Sequence, residues 1–155
     1  MTPKADGQAI RSRDTFRMEV AVGIAVRASP ATIWALLTDA EGFPRWNSTI
    51  LSIQGTIAPG QTIALRAAIA PERTFRLRVT TFVPNSLMVW QDGSPLFRGV
   101  RRYTLTPRGD GTTDVAMAEV FSGVLLPLIA RSLPDQGPPF ERYVADLKVE
   151  AERGS

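Results

Sequence analysis

Arg101, Tyr103 and Glu119 are the residues whose types and spacing could do chemistry together. Arginine offers a rigid fork of donors, tyrosine offers one more, and glutamate accepts a proton. As a set, Arg101 and Tyr103 would stabilise an enolate oxygen while Glu119 served as base. The chain contains no histidine and no cysteine. Ser-His-Asp and Cys-His nucleophiles are therefore excluded, as are thiolate and histidine-ligated metal centres. Any chemistry rests on carboxylates, Arg, Lys, Tyr or bound water, and neither a cofactor nor a metal is expected.

These residues meet only if the chain around them pairs as a hairpin. Val, Tyr, Thr and Leu in "GVRRYTL" (residues 99–105) favour extended backbone. Residues 99–106 and 112–122 read as two strands joined by the Gly- and Asp-rich loop 108–112. A five-residue loop sets Pro107 opposite Thr113, Leu105 opposite Val115, Tyr103 opposite Met117 and Arg101 opposite Glu119. That face is apolar apart from the last pair, and Phe121 continues it. Side chains alternate along a strand, so Arg101 is predicted to point inward and Arg102 outward. A buried unpaired charge costs several kcal/mol, which an opposed Arg–Glu pair largely offsets. Two readings remain open: the pair orients the polar head of an apolar ligand, or both side chains snorkel to water at a cavity mouth.

The 155 residues suit one domain, and 44% are apolar, enough for a real core. Residues 1–14 are polar and aperiodic and read as a flexible tail, with one domain over 15–153. Residues 16–28 are apolar at every second position, the pattern of a long half-buried strand. Ser29-Pro30 then opens a helix with an N-cap and a proline in its first turn, and a second short helix is expected over 40–45. Short strands follow over 50–54, 60–69, 74–83 and 87–91, with a four-residue turn at 84–87 that would oppose Val83 to Met88 and Thr81 to Trp90. Phe140, Tyr143, Val144, Leu147 and Ala151 repeat at helical spacing. Seven strands without parallel βα alternation imply an antiparallel meander curled around a long C-terminal helix, with two short helices after the first strand.

The order resembles the helix-grip fold of the START and birch-pollen-allergen superfamily, an α+β class. Within it the chain is similar to the bacterial polyketide cyclase/dehydrase and lipid-transport group, often called SRPBCC. The likeness is carried by "ASPATIWALLTD" (28–39), "FPRWNSTI" (43–50), "LMVWQ" (87–91), "FRGVRRYTLTP" (97–107) and "AEVFSGVLLPLI" (118–129). Ser48 stands where relatives usually carry proline, and Arg101 where many carry histidine. The resemblance implies a cavity between sheet and C-terminal helix, and a hydrophobic or lipid-like small molecule as partner. Trp90, Tyr103, Met117, Phe121 and Tyr143 would line it, with Trp46 near its entrance, Phe97 on a lid loop, and Arg101 and Glu119 setting orientation. An alternative is a cyclase/aromatase-like enzyme acting on a poly-ketone, and a third is a module that holds a peptide in the helix groove.

The net charge is +3, but the arginines are scattered among acids and form no block, so no nucleic-acid partner is expected. No stretch has the apolar core of a secretory signal or the roughly 18 apolar residues of a membrane span, so a cytoplasmic protein is expected. Monomer and homodimer are equally compatible with the sequence.

Overall fold

The computed structural model describes residues 1–154. Its centre is an antiparallel sheet of eight strands, in the order β1-β2-β8-β7-β6-β5-β4-β3. The strands are β1 (Ile10–Arg13), β2 (Arg17–Val26), β3 (Ile50–Gln54), β4 (Thr62–Ala67), β5 (Phe75–Val83), β6 (Leu87–Ser94), β7 (Phe97–Pro107) and β8 (Thr113–Ser122). Helices α1 (Pro30–Leu37) and α2 (Phe43–Trp46) separate β2 from β3. After β8 come α3 (Leu126–Ile129), a single 3-10 turn (Ala130–Ser132) and the long α4 (Gly137–Arg153). No helix among the described residues is long and apolar enough to cross a membrane.

Helix α4 lies in the groove of the sheet because one stripe of it is apolar. Phe140, Tyr143, Val144, Leu147 and Ala151 are buried, at the spacing the sequence predicts. Each large side chain so buried contributes about 1.5–3 kcal/mol. Pro138 and Pro139 lie inside the first turn of α4, where a missing N–H costs no helical hydrogen bond. Helix α1 starts as expected: the Ser29 hydroxyl accepts from the Thr32 N–H at 3.1 Å, and Pro30 opens the first turn.

Four expectations need correction. The sheet has eight strands, because residues 10–13 of the expected tail pair with the free edge of β2, Ile10 opposite Ala21. The second short helix starts at Phe43, three residues later than expected. The turn at 84–86 opposes Val83 to Leu87 and not to Met88, and a bulge between Val79 and Thr81 then sets Val79, not Thr81, opposite Trp90. That bulge lets both Val79 and Phe82 face inward, Phe82 packing edge-on against Trp34 at 5.1 Å. Finally, Phe97 is in β7 and not on a lid loop. Strand β6 runs on to Ser94, opposite Phe97, so only Pro95 and Leu96 form the turn.

Candidate functional site

The β7–β8 hairpin has the register read from the sequence, with Arg101 opposite Glu119, Tyr103 opposite Met117 and Leu105 opposite Val115. One cross-strand row on the inner face therefore runs Val79, Trp90, Arg101, Glu119, Val20 over five strands. Arg101 Nη2 donates to Glu119 Oε2 at 3.2 Å, and the two side chains keep only 14% and 15% of their surface exposed. The guanidinium carbon stands 5.1 Å from the Phe140 ring centroid and 5.8 Å from that of Tyr143, so α4 closes over the cation with aromatic faces. Burial works against the charge on Arg101. Glu119 and the neighbouring tyrosine hydroxyls more than offset it, and its pKa is raised. Arg101 is a fixed cation.

A cavity of about 170 Å³ opens beside this pair. Leu65, Ala67, Phe75 and Leu77 form its floor on β4 and β5; Leu133, Pro134, Phe140 and Tyr143 form its roof. Arg101, Glu119, Phe97 and Phe121 stand in the wall between. Phe97 and Phe121 stack with centroids 6.0 Å apart and planes 11° from parallel.

Of the expected lining residues, Phe97, Arg101, Glu119, Phe121 and Tyr143 reach this cavity; Trp46, Trp90, Tyr103 and Met117 do not. Those four are buried in the interior, because aromatic side chains fill that end of the groove. Trp90 meets Tyr103 edge-on at 5.0 Å, and Trp46 packs on Phe43 at 4.8 Å. The enolate set of Arg101, Tyr103 and Glu119 is thus rearranged. Tyr103 lies behind Tyr143, their hydroxyls 2.7 Å apart, and Tyr143 is the tyrosine on the cavity. Burial raises the pKa of both phenols, Tyr143 well above the usual value. Both are hydrogen-bond donors and acceptors, not bases.

The hydroxyl pair gives a direct test. Tyr103→Phe or Tyr143→Phe alone takes a hydrogen-bond partner from the surviving buried hydroxyl and should cost about 1–3 kcal/mol, whereas the double variant should cost less than the two singles added. Urea denaturation of the four proteins measures this; simple additivity would show that the hydroxyls do not interact.

Of the polar residues on the wall that were missed, one is a carboxylate beside the ion pair. Asp92 faces the cavity on β6, opposite Gly99. Alternation through Met88 and Trp90 would have found it had β6 been carried past Gln91. A Cβ on Gly99 would stand 2.9 Å from Asp92 Oδ1, so the glycine makes the space this carboxylate occupies. Burial and the nearby Glu119 raise the Asp92 pKa, partly opposed by the Gly99 backbone and Arg73. A carboxyl held above its unfolded pKa binds extra protons in the folded state, so wild-type stability falls as pH rises from the ordinary 3.8 through the raised value. Asp92→Asn should therefore melt at a higher temperature than wild type at pH 7 and at the same temperature near pH 3. Equal melting at both would contradict the strained carboxylate. Arg73 and Arg142 complete the polar rim, and the small side chains of Ala67, Ala68 and Ala70 leave the room.

A model of the family described as polyketide cyclase / dehydrase and lipid transport matches residues 15–152. A sequence search of curated proteins returns no match. The structure superposes on a START superfamily protein from Mycobacterium smegmatis, TM-score 0.67 at 19% identity, covering 88% of this chain and 99% of that one. For the Zhui aromatase/cyclase from a Streptomyces species, the TM-score is 0.71 at 16% identity, over 88% of this chain and 94% of the other. For truncated norcoclaurine synthase from Thalictrum flavum, the values are 0.66 and 14%, over 92% and 99%. At these identities the superpositions show the shared helix-grip fold.

Proposed function

This chain belongs to the polyketide cyclase / dehydrase and lipid transport family, and on that premise we propose that it binds a small, mostly apolar molecule bearing one hydrogen-bond acceptor. The observation that carries this reading is the cavity of about 170 Å³ with the Arg101–Glu119 pair in its wall. Its volume sets the size class. A cavity of about 150 Å³ accepts benzene, so the ligand has an apolar body of about one ring. The pair sets the chemistry. Glu119 takes one of the five N–H donors of Arg101, and the spare donors suit a carbonyl or phenol oxygen. The apolar floor holds the body and the guanidinium fixes its direction.

Calorimetric titration with acetophenone and with ethylbenzene tests this. The two share a ring, but only the ketone has an acceptor. A hydrogen bond to a charged donor contributes about 1.5–3 kcal/mol, so acetophenone should bind at least about tenfold more tightly. Equal affinities, or no saturable binding of either, would overturn the reading.

A second reading, a cyclase-like enzyme, is favoured by Asp92. A carboxyl of raised pKa beside Glu119 supplies a proton donor next to a base, with Arg101 to hold an enolate oxygen. Turnover of a small β-diketone, lost in Asp92→Asn with acetophenone binding retained, would separate this reading from simple carriage.

A further inference from the structure

Four large apolar side chains are exposed at one end of the sheet: Phe16 (54%), Leu96 (55%), Val124 (60%) and Leu128 (78%). The backbone ties them together. The Gly123 N–H donates to Phe16 O at 3.1 Å, and the Leu125 N–H donates to Leu96 O at 3.0 Å. The β1–β2 turn, the β6–β7 turn and α3 thus form one tip. Arginines rim it. Arg13 and Arg131 share a surface hollow with Pro127, and Arg17 and Arg98 both pair with Ser122, from either side of β8. Against these four cations stand Asp14 in the same hollow and Glu19, which Arg17 engages at 2.8 Å.

We propose that this tip docks on an anionic lipid bilayer, with Leu96, Val124, Leu128 and Phe16 entering the interface and Arg13, Arg98 and Arg131 meeting the headgroups. Charge complementarity selects the occupant. A second copy related by a two-fold axis would oppose one patch of four arginines and two acids to another of the same net positive charge, whereas an anionic leaflet offers the opposite sign to every arginine. Apolar tips have no counterpart on a nucleic-acid backbone. The place of the patch also has a consequence. Leu96 precedes Phe97, whose ring on Phe121 forms part of the cavity wall, so docking brings that wall to the membrane. This surface would dock in the same way whichever ligand the cavity takes.

Flotation of the full chain with phosphatidylcholine vesicles, and with vesicles containing about 30% phosphatidylglycerol, tests it. Wild type should float with the anionic vesicles at low salt and not with the neutral ones. Val124→Asp/Leu128→Asp should weaken this at least about tenfold, and Arg98→Gln/Arg131→Gln should weaken it by about fivefold for each arginine removed. Both variants change exposed side chains, and unchanged thermal melting confirms that each is folded. No binding to anionic vesicles, or binding untouched by either variant, overturns the proposal. Sedimentation equilibrium showing a dimer that Val124→Asp/Leu128→Asp dissociates would overturn it in favour of a second copy.

Discussion

Arg101→Met is expected to destabilise the protein by about 3 kcal/mol, the low end of the penalty for removing one partner of a buried ion pair, because this pair is part-buried. The substitution keeps an unbranched side chain against Phe140 and Tyr143, so lost packing is a small part of the cost. The large part is the carboxylate left behind. Glu119 keeps only 15% of its side-chain surface exposed, and Asp92 stands on the same wall. Without Arg101 the two acids face one cavity with Arg73 and Arg142 on its rim as the remaining cations. Arg101→Met/Glu119→Leu removes both charges and should return stability to within about 1 kcal/mol of wild type, because an apolar pair of similar volume often replaces a buried ion pair without loss. The same double variant should bind acetophenone no better than ethylbenzene. Stability is read from urea midpoints at constant m-value. A cost below about 1 kcal/mol for Arg101→Met would place the pair in solvent-screened surroundings, as at a cavity mouth.

Ala67→Phe is expected to abolish ring binding, lowering affinity at least about a hundredfold, while the protein still folds. Ala67 ends β4 and its side chain lines the floor. A phenyl group there occupies the space that the ligand ring would take. Overpacking in a filled core costs about 1–3 kcal/mol, but here the added atoms enter a void, so the penalty lies at or below the low end. Calorimetry with acetophenone gives the affinity and thermal melting reports the fold. Unchanged affinity in a folded Ala67→Phe protein would move the ligand out of this cavity.

The hairpin that builds the site was legible in the sequence because its loop has a defined length and its inner face alternates cleanly. Those two features placed Arg101 opposite Glu119 without coordinates. The α4 stripe was legible for the same reason, a periodicity sustained over three turns. What sequence reading missed is local. A bulge in β5 shifts register by one residue, and nothing in "RVTTFV" marks which threonine is extra. Gly93-Ser94-Pro95 has the composition of a chain break, so the strand expected over 87–91 stops one residue short of Asp92, at the end of an alternation visible in Met88 and Trp90. Strand β1 is short and polar, so only its partner β2 makes it a strand. Which residues line the hollow and which fill the groove was not legible at all. Trp90, Tyr103 and Phe121 lie on the same inner face by alternation, yet aromatic packing with Phe43 and Tyr143 closes one end and leaves the other open. That division depends on how side chains from distant segments interlock, and no single strand carries it.

The most direct measurement is a 1H–15N spectrum of the arginine side chains during titration with acetophenone. The Arg101 Nε–H signal, assigned by its absence in Arg101→Met/Glu119→Leu, should move saturably as the ketone fills the cavity, and should stay still in Ala67→Phe. An Arg101 signal unmoved by a ketone that calorimetry shows to be bound would mean that the guanidinium beside Glu119 does not orient the ligand.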